Sequence, residues 1–280
     1  MFQYAFGRSI ASSKGVPLVL DVSDYEDYKL HNGFELNDVF EIKAPLMDAN
    51  ALRNTLGWRG TGNIYRQLVR KRYKWLRGRS IFVEPHFHYC PDAFNVPSKC
   101  YLSGHWQSEK YFESNRDEIR EDFNFKNKPS HENLSAISLI TNSQSISVHI
   151  RRGDYINDSK TSKVHGTCTV DYYRESMELL ALKISNPRFF IFSDDSEWAK
   201  SNIKGNCQMT FVDHNIGRES YNDMLLMSRC KHNILSNSTF SWWGAWLNNN
   251  PNKTVIAPRR WFATKNYNTA DLLPDSWVVV

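Results

Sequence analysis

SVHIRRGDY, residues 147–155, opens as an apolar strand pattern and stops at two adjacent arginines. A strand that ends this way places guanidinium groups at its carboxyl end, which is where ligands bind on open parallel α/β sheets. The flanking sequence supports such a sheet. Short β-branched or aromatic runs at 146–150, 189–193, 210–213, 234–236 and 255–257 read as strands. Longer segments with helical apolar spacing fit between them at 171–184, 195–203, 220–230 and 239–248. This alternation is the signature of βαβ units, so a Rossmann-like domain is expected over residues 136–280.

The first half is less regular. It offers an opening helix near 2–14, strands at 17–21, 80–84 and 100–103, a helix near 108–121, and a polar connection over 124–135. The expected division is therefore an amino-terminal domain of residues 1–135 and a carboxyl-terminal domain of residues 136–280. The opening helix begins at residue 1 with neither a capping residue nor a preceding strand, whereas an α/β unit runs strand, loop, helix.

A length of 280 residues allows about two domains. Hydrophobic residues at 41% and charged residues at 23% argue against disorder as the main state. No apolar run approaches the ~18–20 residues of a membrane span, and the opening residues lack the pattern of an export signal, so a cytoplasmic location is expected. Cys90, Cys100, Cys168, Cys207 and Cys230 are odd in number and scattered, and read as reduced packing residues. The net charge of +5 is local. Residues 64–79, IYRQLVRKRYKWLRGR, carry seven Lys/Arg and no acid, which leaves 28 basic against 30 acidic residues elsewhere. The spacing of Tyr65, Val69, Tyr73 and Leu76 predicts an amphipathic helix there, its cationic face either simply solvated or in contact with an anionic membrane. No matching basic groove or recognised motif points to nucleic acid.

Two further strand ends carry chemistry. FFIFSDD (189–195) ends in Asp194 and Asp195, which suit a ribose or a purine edge, while Asp195 also fits as the cap of the next helix. In LSNSTFSWWGAWLN (235–248), Ser236, Asn237, Ser238 and Thr239 stand between a strand and a helix, where hydroxyls, backbone N–H groups and the helix dipole converge on an anion. Arg151 and Arg152 suit phosphate because the planar guanidinium fork makes bidentate, charge-assisted hydrogen bonds. An Arg152–Asp154 pair holding the loop is the structural alternative. The chain contains no Asp-x-Asp, P-loop or H-E-x-x-H pattern, so no metal is expected.

HIRRGDY (149–155), FSDD (192–195) and SNSTFSWWGAWL (236–247) occur with MFQYAFGRSIA (1–11), SGHWQSEKYF (103–112), DMLLMSRCKH (223–232) and VIAPRRWF (255–262). In order and spacing these blocks resemble glycosyltransferase family 11, the GDP-L-fucose-dependent α-1,2-fucosyltransferases. The resemblance implies a GT-B architecture, two Rossmann-like domains facing across a cleft. It also implies inverting, metal-independent transfer of L-fucose to the 2-hydroxyl of a terminal galactoside in a surface glycan, with no cofactor beyond the donor GDP-L-fucose. The acceptor would be a galactose-terminated glycan, in one version lipid-linked at the inner face of the membrane. By the same resemblance Arg151 meets the β-phosphate, His149 lies near the nucleoside, and Asp194 or Asp195 binds guanine or ribose. Arg152, Asn237, Ser238 and Thr239 complete the donor site, and Asp154 is the candidate general base. His105 stands where the family usually has tyrosine. The family's G-G-L-G-N-Q loop and the strand before it do not precede Met1, which predicts a start truncated by roughly ten to twenty residues, the length of a strand plus loop. Two alternatives stay open: a catalytically impaired glycan- or nucleotide-binding protein, and a transferase for another GDP-deoxysugar.

Overall fold

The computed structural model describes residues 1–25, 33–42, 44–62 and 64–280. The chain divides into two compact units, Met1–Lys126 with Tyr267–Pro274, and Asn127–Asn266 with Asp275–Val280. The boundary expected at residue 135 is corrected. Ser130 caps the helix His131–Thr141 by accepting from the Asn133 N–H, so the polar stretch condenses into a helix of the second unit.

In chain order the strands are β1 (Ile81–Val83), β2 (Tyr101–Ser103), β3 (Gln144–Ile150), β4 (Pro187–Ser193), β5 (Gln208–Val212), β6 (His232–Ile234), β7 (Val255–Ala257) and β8 (Val278–Val279). The second unit holds a six-stranded sheet in the order β5-β4-β3-β6-β7-β8, parallel throughout. Numbered from β3, this is the 3-2-1-4-5-6 order of doubly wound dinucleotide-binding folds. The order reverses between β3 and β6, the kind of switch point at which doubly wound sheets bind their ligands.

β4 carries an unbroken apolar run, residues 189–192, as a strand buried on both faces does, whereas in β3 the apolar Ile146, Val148 and Ile150 alternate with the buried polar Ser147 and His149. Ile146, Val148 and Ile150 of β3 pack with Phe189 and Ile191 of β4, Ile234 and Ile256, and with Tyr173, Met177 and Leu180 of the helix Val170–Ala181. Trp242, Trp243 and Trp246 of the helix Thr239–Leu247 are buried, Trp242 parallel to Trp246 and both edge-on to Trp243, which places them in the core. All five cysteines are free thiols.

The first unit departs further from expectation. Its opening helix, Phe2–Lys14, has no side-chain cap and ends at Gly15 in the left-handed region, φ 62°. Among the described residues its sheet is only the parallel pair β1–β2, short of a Rossmann-like sheet. The strand expected at 17–21 shrinks to a bridge between Leu20 and Leu46, flanked by Pro17 and Pro45, which have no N–H to extend a ladder. The helix expected over 64–79 breaks into Ile64–Leu68 and a 3-10 turn, Lys71–Leu76. Arg77 causes this by donating to the carbonyls of Leu68 at 2.7 Å and Val69 at 2.8 Å, acceptors that a continuing helix would need. The helix near 108–121 is confined to Arg116–Asp122 after two 3-10 turns. Aromatic rings fill this unit's core, with Phe6 against Phe94, Trp106 and Tyr111.

Candidate functional site

The β3–β4 register sets His149 beside Phe192 and Ile150 beside Ser193. Continued one step past the strands, that register brings Arg151 to Asp194 and Arg152 to Asp195. Both pairs form. Arg151 Nη1 lies 3.1 Å from Asp194 Oδ2, and Arg152 Nε lies 3.3 Å from Asp195 Oδ2. The local alternative, Arg152 with Asp154, involves a side chain outside the described residues. Asp154 falls in the helix Gly153–Asn157, and its side chain lies outside the described part of the chain.

Asp194 does more than neutralise Arg151. Its carboxylate accepts the backbone N–H of Arg152 at 2.8 Å and of Gly153 at 3.0 Å, fixing the turn that carries both guanidinium groups. The approach is close enough that a Cβ on residue 153 would come within 2.9 Å of Asp194 Oδ2, so a side chain there would displace that carboxylate. Asp195 caps the helix Ser196–Asn202 by accepting the Trp198 N–H, as the sequence suggested, while also holding Arg152. The Arg152 guanidinium lies 3.7 Å from the centre of the Trp198 ring, a close cation–π contact.

His149 closes the site from below. It is buried, and its Nδ1 lies 2.7 Å from Ser236 Oγ, a hydrogen bond that spans the reversal between β3 and β6. Burial first, and then the positive charge of Arg151, push its pKa down to about 3. The imidazole is therefore neutral at physiological pH and serves as a hydrogen-bonding group.

The β6 end contributes structure as well as binding groups. The Asn237 amide donates to the carbonyls of His165, Gly166 and Trp261, and its oxygen faces Cys168 Sγ. Its side chain is thus engaged inside the unit, while its carbonyl accepts from Tyr155 Oη. Ser238 caps the helix Thr239–Leu247 by accepting from the Phe240 N–H, so Ser238 and Thr239 stand at its positive end. Tyr155 and Trp198 were missed from sequence. The available signals were their positions, Tyr155 in the first turn after the arginines and Trp198 three residues after the capping Asp195.

The assembled groups are two guanidinium forks held by carboxylates, a neutral imidazole, and a helix amino end. Together they can hold a diphosphate and leave carboxylate and imidazole edges for a nucleoside. Among the described residues no cluster of His, Cys, Asp or Glu could hold a metal ion.

The model of the family described as glycosyl transferase family 11 matches residues 67–280. An α-1,2-colitosyltransferase of Escherichia coli is 33% identical over 296 residues, covering 99% of this chain and 93% of that protein. The O-antigen biosynthesis glycosyltransferase WbnK of Escherichia coli is 32% identical, covering 99% of this chain and 95% of its own length. The human galactoside α-(1,2)-fucosyltransferase 1 is 28% identical over 156 residues, which cover 52% of this chain and 42% of that protein.

Proposed function

The chain belongs to glycosyltransferase family 11, and on that premise we propose that it transfers L-fucose from GDP-L-fucose to the 2-hydroxyl of a terminal galactoside in a surface glycan. The observation that carries this reading is the meeting of Arg151, Arg152, Asp194 and Asp195 with the His149–Ser236 pair where the strand order reverses. A GT-B architecture goes with it, the second unit being the nucleotide-binding half.

As the fucosyl C1–O bond breaks, the sugar ring gains positive character and the departing GDP gains negative charge. Arg151, oriented by Asp194, meets the β-phosphate, and its interaction is strongest at the moment that charge develops. Ser238 and Thr239, at the helix end, take the other phosphate oxygens. Arg152 and Asp195 flank the nucleoside. Asp154 is the base that removes the acceptor's hydroxyl proton, so that the acceptor oxygen attacks the face opposite GDP and the anomeric configuration inverts. Arginine and a helix end do here what a divalent cation does in other nucleotide-sugar enzymes, so EDTA leaves the rate unchanged.

The test is incubation with GDP-L-fucose and lactose, following GDP release and the anomeric proton of the product. The expected product is an α-linked fucosyl trisaccharide, and Asp154→Asn abolishes its formation while GDP still binds. GDP binding without transfer to any β-galactoside would overturn the reading in favour of a nucleotide-binding protein. The 33% identity to a protein named a colitosyltransferase favours a second reading, with another GDP-deoxysugar as donor. Competition between donors at equal concentration separates the two.

A further inference from the structure

We infer that the corner of the first unit formed by residues 57–60 and 64–79 docks on the surface of an anionic lipid bilayer. The inference is independent of the transfer reaction and goes beyond it. Within 64–79 seven basic residues occur without one acid, but the structure does not treat all of them alike. Arg77 is spent on the carbonyls of Leu68 and Val69, and Arg66 lies 3.8 Å from Asp24. Arg70, Arg72, Lys74 and Arg79 are exposed and, among the described residues, form no ion pair.

Apolar groups share the same surface. Trp75 is 79% exposed, Trp58 57% and Ile64 38%. Arg59 joins the two indoles into one corner, since its Nε donates to the Leu76 carbonyl at 2.8 Å while its guanidinium lies 4.9 Å from the centre of the Trp58 ring. The opposite side of the segment is anchored: Tyr65 and Leu68 pack with Leu52, Leu56 and Ile81. The patch is therefore held on a fixed base.

A surface needed only for solubility would show the cations and hide the indoles. Exposed tryptophans ringed by Lys/Arg match the headgroup layer of a membrane, where the ring sits at the apolar boundary and the cations meet lipid phosphates. Single-stranded nucleic acid also offers charge and stacking. The bilayer is favoured because the apolar part includes the aliphatic Ile64, which has no stacking role.

Co-sedimentation of the full chain with vesicles tests this. Binding is expected to vesicles containing phosphatidylglycerol and not to phosphatidylcholine alone, and it weakens as salt rises. Arg72→Gln with Lys74→Gln lowers partitioning by about 25-fold, at roughly fivefold per charge. Trp58→Ser with Trp75→Ser lowers it at least as far as one of those charges does, about fivefold, and an unchanged thermal midpoint confirms that both variants fold. Equal binding to neutral vesicles, no loss in either variant, or release from vesicles by a single-stranded oligonucleotide that binds the same residues more tightly would overturn the inference. Transfer to free lactose is untouched by each of these outcomes, so failure here and failure of the proposed reaction are distinguishable.

Discussion

Arg151 and Arg152 are neighbours with different work. Arg151 is aimed by a carboxylate whose other contacts hold the turn, whereas Arg152 sits over an indole. Arg151→Lys keeps the charge and loses the planar fork, so kcat is expected to fall about 100- to 1,000-fold, the usual cost of removing a preorganised donor. Steady-state assay with GDP-L-fucose checks it, and a near wild-type kcat would remove Arg151 from the mechanism. His149 gives a pH prediction. Its imidazole stays neutral in the folded protein down to about pH 3, while in the unfolded chain it takes up a proton near 6.5. The unfolded state then binds more protons, so His149 costs the fold stability progressively as pH falls from about 6.5 toward 3, and costs nothing above that window. Measured as denaturation midpoints, the stability difference between the wild type and His149→Gln should shift against the wild type at pH 5 relative to pH 8.

Two short elements depend on single side-chain contacts. Asp195→Ala removes the cap of Ser196–Asn202 and the partner of Arg152, and is expected to cost about 1 kcal/mol for the cap alone. Gly153→Ala drives a methyl group against Asp194, so weakened GDP binding by calorimetry is expected with little change in melting temperature. The parallel sheet was legible because β4 holds a continuous apolar run and β3 an apolar residue at every second place, and their carboxyl ends announced the arginines and aspartates. Their partners were not legible. Pairing of Arg151 with Asp194 depends on the register of two strands separated by a helix, and neighbouring residues alone suggested Asp154 for Arg152. The last strand before the aromatic helix is His232–Ile234 rather than 234–236, because the carbonyls of Leu235 and Ser236 are taken by Tyr172 Oη and Ser241 Oγ. The basic segment misled for a similar reason: its apolar spacing was helical, but Arg77 folds back across it.

At the scale of the molecule, each unit is built from two stretches of chain. Asp271, in the 267–274 stretch, accepts from the Tyr89 N–H and from Lys110 Nζ. Burial opposes its charge, but Lys110 and the Tyr89 N–H outweigh that and hold its pKa below the ordinary carboxylate value. Its contribution to stability is therefore complete above that ordinary value and lost as pH falls through the lowered one. Asp271→Ala is expected to destabilise the first unit by about 2 kcal/mol at pH 7, a charged hydrogen-bond partner's worth, read as a lower urea midpoint in the transition that reports that unit's tryptophans.

This two-stretch construction also sets the order of events during synthesis. Residues 1–126 leave the ribosome early, yet the first unit gains its remaining stretch only when 267–274 follow. By then β3 through β7 have already emerged. The unit translated first is therefore completed last, when Asp271 reaches Tyr89 and Lys110 and Tyr267 reaches Phe87.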